Sequence, residues 1–88
     1  MTSIHFSPQE TNDIRSYVVA FPALVNGQRV ECAISYQALW QHFGADYADP
    51  LPAFTRHRQP IEQLAAQFIR QQRFEPDGTI LIRSYDIA

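Results

Sequence analysis

Three kinds of side chain in this sequence could carry polar chemistry: one thiol, three imidazoles and a set of guanidinium groups without a single lysine. A nucleophilic cysteine must ionise, which a basic neighbour and partial exposure favour. Cys32 sits in "VNGQRVECAIS", where nothing adjacent in sequence supplies either. It is read as a small apolar side chain filling space. His5, His42 and His57 lack the four-residue spacing that places a metal-binding pair on one helix face. The acids Glu10, Asp13, Glu31, Asp46, Asp49, Glu62, Glu75, Asp77 and Asp86 are scattered, mostly at turns and helix starts. No catalytic carboxylate pair stands out among them. Ser35 has no nucleophile-elbow context and suits a helix cap. Three glycines make no phosphate loop. The expectation is a protein that is not an enzyme, with no catalytic residues, no cofactor and no metal.

The arginines allow one binding chemistry. "RHR" (Arg56 to Arg58) is the densest basic cluster, and Arg56, Gln63 and Arg70 are seven apart. On a helix, Arg56, Arg58 and Arg70 could form a stripe for an anion or a nucleic acid, or simply a solvated face. The net charge of −2 argues against broad nucleic-acid binding, which needs excess positive charge to displace counterions.

The elements that position these groups begin with Asn26-Gly27, a strong hairpin signal between apolar runs. A two-residue loop pairs Ala23 with Val30, Phe21 with Cys32 and Val19 with Ile34. That register gathers Val19, Phe21, Ala23, Val25, Val30, Cys32 and Ile34 on one face; a one-residue slip would bring Arg29 and Glu31 there instead. Pro22 falls opposite Glu31 at a non-hydrogen-bonded pair, so its nitrogen points away from the second hairpin strand. The outer side of the first strand must then be an edge, a bulge, or paired only near Tyr17. The other sheet face carries Val18, Ala20, Pro22, Leu24 and Ala33, with Arg29 and Glu31 beside the turn. It is more apolar than a water-facing sheet usually is, which makes it a candidate interface for a second copy or a protein partner. A helix covering each face, or exposed small apolar residues, is the alternative.

Around the hairpin, Ile4 to Phe6 reads as a short strand and Ser7 to Asp13 as a polar loop. Ser35 and Gly44 bracket a helix from Tyr36 to Phe43, with Leu39, Trp40 and Phe43 on one face. Ala45 to Asp49 is a loop. Asp49 and Pro50 suit an N-cap and a first helical position. Phe54, Ile61 and Phe68 recur every seven residues, marking one amphipathic helix from Pro50 to Gln72. Pro60 should bend it near Arg56 to Gln59; the unbroken heptad phase favours a bend over a new helix starting at Pro60. After a turn at Pro76-Asp77-Gly78, Thr79 to Tyr85 alternates as a closing strand. The order βββααβ predicts an α+β fold with an antiparallel sheet and two helices mainly on one face.

With 88 residues, 45% of them hydrophobic and 18% charged, the chain suits one folded domain over residues 1–88. No charged leader precedes an apolar run, and the longest apolar stretch, Tyr17 to Val25, is too short and proline-interrupted to span a membrane. A cytoplasmic, bacterial setting is expected.

The run "VNGQRVECAISYQAL", the segment "AFTRHRQPIEQLA" and "DGTILIRS" together resemble the small bacterial proteins of domain-of-unknown-function family 1488. The resemblance spans Ile4 to Ser84. It implies one α+β domain of this element order and carries no catalytic residue across. The function expected is a small non-enzymatic interaction or regulatory module; the alternative is a nucleic-acid-binding regulator using Arg56, Arg58 and Arg70.

Overall fold

The computed structural model describes residues 2–46 and 48–87. At its centre, Asn26 and Gly27 both take positive φ, 51° and 84°, as a type I′ turn demands. The turn joins β3 (Val18–Val25) to β4 (Gln28–Ser35). They pair antiparallel with Ala23 opposite Val30, Phe21 opposite Cys32 and Val19 opposite Ile34, the expected register. All six of those side chains except Val30 are buried.

The region before the hairpin departs from a simple loop. β1 (Ile4–Phe6) and β2 (Thr11–Asp13) both pair antiparallel with β3, at Ala23–Val25 and Val18–Ala20 respectively. The residues expected to be loop therefore include a strand. Pro22 explains why two short strands stand where one long one might. Ser7 N–H donates to the Pro22 carbonyl (3.3 Å), but Pro22 has no N–H to return to Ser7, so the ladder breaks there.

On the other side of the hairpin, β5 (Ile80–Ile82) pairs with β4 in parallel, Cys32 facing Ile80 and Ile34 facing Ile82. The five-stranded sheet, ordered β1-β3-β4-β5 with β2 also on β3, is therefore mixed rather than antiparallel. The chain leaves β4 and returns only after three helices, the kind of long crossover that parallel neighbours require. The expected strand at 79–85 stops early because the Arg83 N–H turns to the Asp86 carboxylate (3.0 Å), opening a 3-10 turn over Ser84–Asp86.

α1 (Tyr36–Phe43) has the expected bounds: the Ser35 hydroxyl accepts from the Ala38 N–H (3.0 Å), and Gly44 closes the helix at φ 68°. Leu39 is buried, but Trp40 is half exposed; Tyr36 and Ala38 are buried instead. The long helix divides into α2 (Leu51–Arg56) and α3 (Arg58–Arg70) at His57, whose ψ is 24°. The interruption lies in the expected stretch but is a break rather than a bend. In a continuous helix the Pro60 ring would clash with the Arg56 carbonyl, whereas in the first turn of α3 its missing N–H costs nothing. The new helix begins at Arg58, two residues before Pro60. Asp49 is not the cap: Pro50 holds that position without a side-chain bond, and Asp49 bridges to Asp46. Within the expected 45–49 loop, Tyr47 lies outside the described residues. Buried residues of α1, α2 and α3 join the inner sheet residues in one hydrophobic cluster, with Phe21 against Phe54 at 5.3 Å between ring centres.

A Cβ at Gly27 would meet nothing within 4 Å, so its constraint is conformational alone. Gly27→Ala should therefore lower stability by about 1 kcal/mol in urea titrations while leaving the hairpin amide shifts in place.

Candidate functional site

Cys32 lies within the core, 1% exposed. Burial, and secondarily the charge of Glu31, push its thiol up to about 12, the opposite of what a nucleophile needs. The histidines are engaged locally. His5 Nε2 is 3.0 Å from the Ser3 hydroxyl, and His42 Nε2 is 3.0 Å from the Ser84 carbonyl. His57 packs on the Phe43 ring. Among the described residues, no group of three or more His, Cys, Asp or Glu side chains could hold a metal ion.

The three arginines read as a stripe have different surroundings. Arg56 closes α2, while Arg58 and Arg70 stand at opposite ends of α3, about 18 Å apart along its axis. Arg58 is mostly buried. It meets Glu62 at 2.9 Å and Glu10 at 3.6 Å, and its guanidinium lies 5.1 Å from the Phe54 ring centre. It also donates to the Ser7 carbonyl (2.6 Å) and the Gln9 carbonyl (2.9 Å). The Ser7 carbonyl is the acceptor that Pro22 leaves unserved, so the side chain replaces a missing backbone donor. Arg29, Arg73 and Arg83 pair with Glu31, Asp86 and Glu75.

The sheet face away from the core holds a shallow trough of about 290 Å³. Its floor is Val18, Ala20, Ala33 and Leu81, and Asp13, Glu31 and Asp77 stand around it. Of the five residues anticipated on this face, Val18, Ala20 and Ala33 line the trough. Leu24 is exposed near the turn, opposite Arg29 and His5, and Pro22 is buried. The acidic rim was not legible as a unit, because Asp13 and Asp77 come from segments far apart in sequence. Their local bonds are visible only in three dimensions. Asp13 accepts from the Ser16 N–H (3.3 Å), and Asp77 accepts from the Thr79 hydroxyl (2.7 Å) and N–H (3.0 Å). Those bonds, the hydroxyl's foremost, hold the Asp77 carboxyl below the usual range.

A family profile described as "Protein of unknown function (DUF1488)" matches residues 4–82. The chain is 35% identical over 79 residues to "Uncharacterized protein YrdB" of Escherichia coli (strain K12), covering 89% of this chain and 93% of that protein. The Shigella flexneri protein of the same name matches to the same extent. A crystal structure of a DUF1488-family protein of unknown function from Shewanella loihica PV-4 superposes with a TM-score of 0.81 at 28% identity, over 91% of each chain.

Three measurements test these assignments. Cys32 should resist thiol reagents in the native state and react only on unfolding. Between pH 9 and about 12 the unfolded chain releases a proton that the native thiol keeps, so stability falls through that window; Cys32→Ala should flatten this part of the alkaline slope. Arg58→Leu should cost about 1–3 kcal/mol in chemical denaturation. In a Pro22→Ala background the loss should shrink, because the restored amide N–H can serve the Ser7 carbonyl. Equal losses in both backgrounds would refute that substitution of donors.

Proposed function

The chain belongs to the DUF1488 family, and from that premise we propose that it is a non-catalytic interaction module of the bacterial cytoplasm whose outer sheet face receives a protein segment. In this reading the three helices cover the sheet face formed by Val19, Phe21, Cys32, Ile34, Ile80 and Ile82, with which their buried residues form one cluster. The opposite face is left to the partner. Among the described residues, no helix is long and apolar enough to cross a membrane.

The observation that carries the reading is the trough's chemistry: an apolar floor with carboxylates at Asp13, Glu31 and Asp77. Glu31 is engaged with Arg29 at 2.6 Å, while Asp13 and Asp77 take their bonds from a backbone N–H and from Thr79. Two copies meeting here face to face would oppose acid to acid. A segment with apolar side chains and flanking lysines or arginines complements both the floor and the rim, and the net charge of −2 favours its approach.

The test is fluorescence polarisation with an end-capped decapeptide alternating leucine and lysine, against a leucine–glutamate control. The lysine peptide should bind, weaken with added salt, and lose at least about tenfold in affinity on Ala33→Arg, which fills the trough with a cation. No binding, or equal binding of the two peptides, would overturn the reading.

A further inference from the structure

We infer that β1 is a pairing edge for a second copy of this chain, forming a twofold dimer with one sheet continuous across both subunits. Backbone parity decides which groups of β1 face outward. Asn26 N–H donates to the Ser3 carbonyl (2.8 Å), and Ser7 N–H donates to the Pro22 carbonyl. In an antiparallel ladder these directions alternate, so Ser3, His5 and Ser7 face β3. The N–H and C=O of Ile4 and Phe6 point the other way. β1 ends the strand order, so those four groups lie on an open edge, the usual template for another strand.

The edge is self-complementary, and one register pairs both outward residues of β1 (Ile4–Phe6) within the strand. A twofold axis through His5 sets Ile4 opposite Phe6 of the second copy, and Phe6 opposite its Ile4. Each pair then joins two outward residues and exchanges both N–H···O bonds. A shift of one residue would face an outward pair with an inward one and lose them. Extending the ladder in this register reaches Pro8, which cannot donate, so the pairing is bounded at two such pairs.

The groove beside this edge, about 260 Å³, is lined by Ile4, Phe6 and residues of α3 including Glu62, Ala66 and Arg70. Because Arg58 at the start of α3 binds Ser7 and Gln9 just beyond β1, α3 runs back against the direction of β1. The axis that reverses β1 also reverses α3. It brings the Glu62 end of one helix toward the Arg70 end of the other, two turns or about 12 Å away along the axis. An isologous interface needs both charges within one patch; this groove holds Arg70 and Glu62, and Glu62, although it meets Arg58, stays acidic on balance because Arg58 is shared with Glu10. No acid is paired with Arg70 among the described residues. A foreign peptide could use the same edge but would not require that charge pairing.

Sedimentation velocity across a concentration series tests the dimer, read beside amide exchange. The mass should rise from one chain to two, with the Ile4 and Phe6 amides gaining protection in step. Ile4→Pro removes an outward donor and no bond to β3, so it should leave far-UV circular dichroism unchanged and shift the association midpoint at least about tenfold higher. Arg70→Glu, which places acids on both sides of the axis, should weaken the dimer without touching the backbone. A one-chain mass at every concentration would overturn the inference. So would a dimer that tolerates both variants but is lost in Ala33→Arg, since that places the contact on the outer sheet face.

Discussion

A reverse turn with two consecutive residues at positive φ leaves no freedom in the phase of the ladder that leaves it. With Asn26 and Gly27 so placed, Val25 must face Gln28, and every later pair of the hairpin follows. Side-chain direction alternates along a strand, so the same turn decides that Phe21, Cys32 and Ile34 look into the core while Val18, Ala20 and Ala33 look outward. It also decides which backbone groups of β3 are offered to β4 and which to β1 and β2. The inert thiol, the outer trough and the open edge of β1 all inherit their orientation from this dipeptide.

The same phase exposes a place where the ladder fails. Pro22 can accept from Ser7 but cannot donate back, and a buried carbonyl without a donor is costly. Arg58 answers from α3, reaching both Ser7 and Gln9 while its charge is balanced by Glu10 and Glu62. A cation that reads in isolation as a nucleic-acid contact is thus held by backbone accounting. It fastens the start of α3 to the point where β1 gives way to β2, and so sets the direction of the helix along the sheet edge.

What the sequence disclosed was local. The hairpin register rests on two adjacent residues, and α1 on a serine and a glycine at its ends; such signals need no knowledge of distant chain. The order βββααβ, read along the chain, lacks β2 and counts α2 and α3 as one helix. The failures share the opposite character. β2 is polar, and Thr11–Asp13 becomes a strand only because Val18–Ala20 offers an unpaired edge. The parallel sense of β5 depends on how three helices return the chain. The division at His57 was hidden by a heptad pattern that both halves of the helix obey across the break. In the trough, the apolar floor followed from alternation, but its acidic rim required Asp13 and Asp77 to be brought to one face by folding.

The mixed sheet has a consequence for the order in which it is assembled. β3 and β4 are joined by a two-residue loop and lose little entropy on meeting, whereas β5 must close the long crossover before it can lie against β4. The hairpin therefore precedes the last strand on the route to the native state. In the interval the backbone groups of Glu31 and Ala33, which face away from β3, lie uncovered beside a greasy surface. That interval is the moment of greatest exposure to mispairing, and it ends when β5 settles against β4.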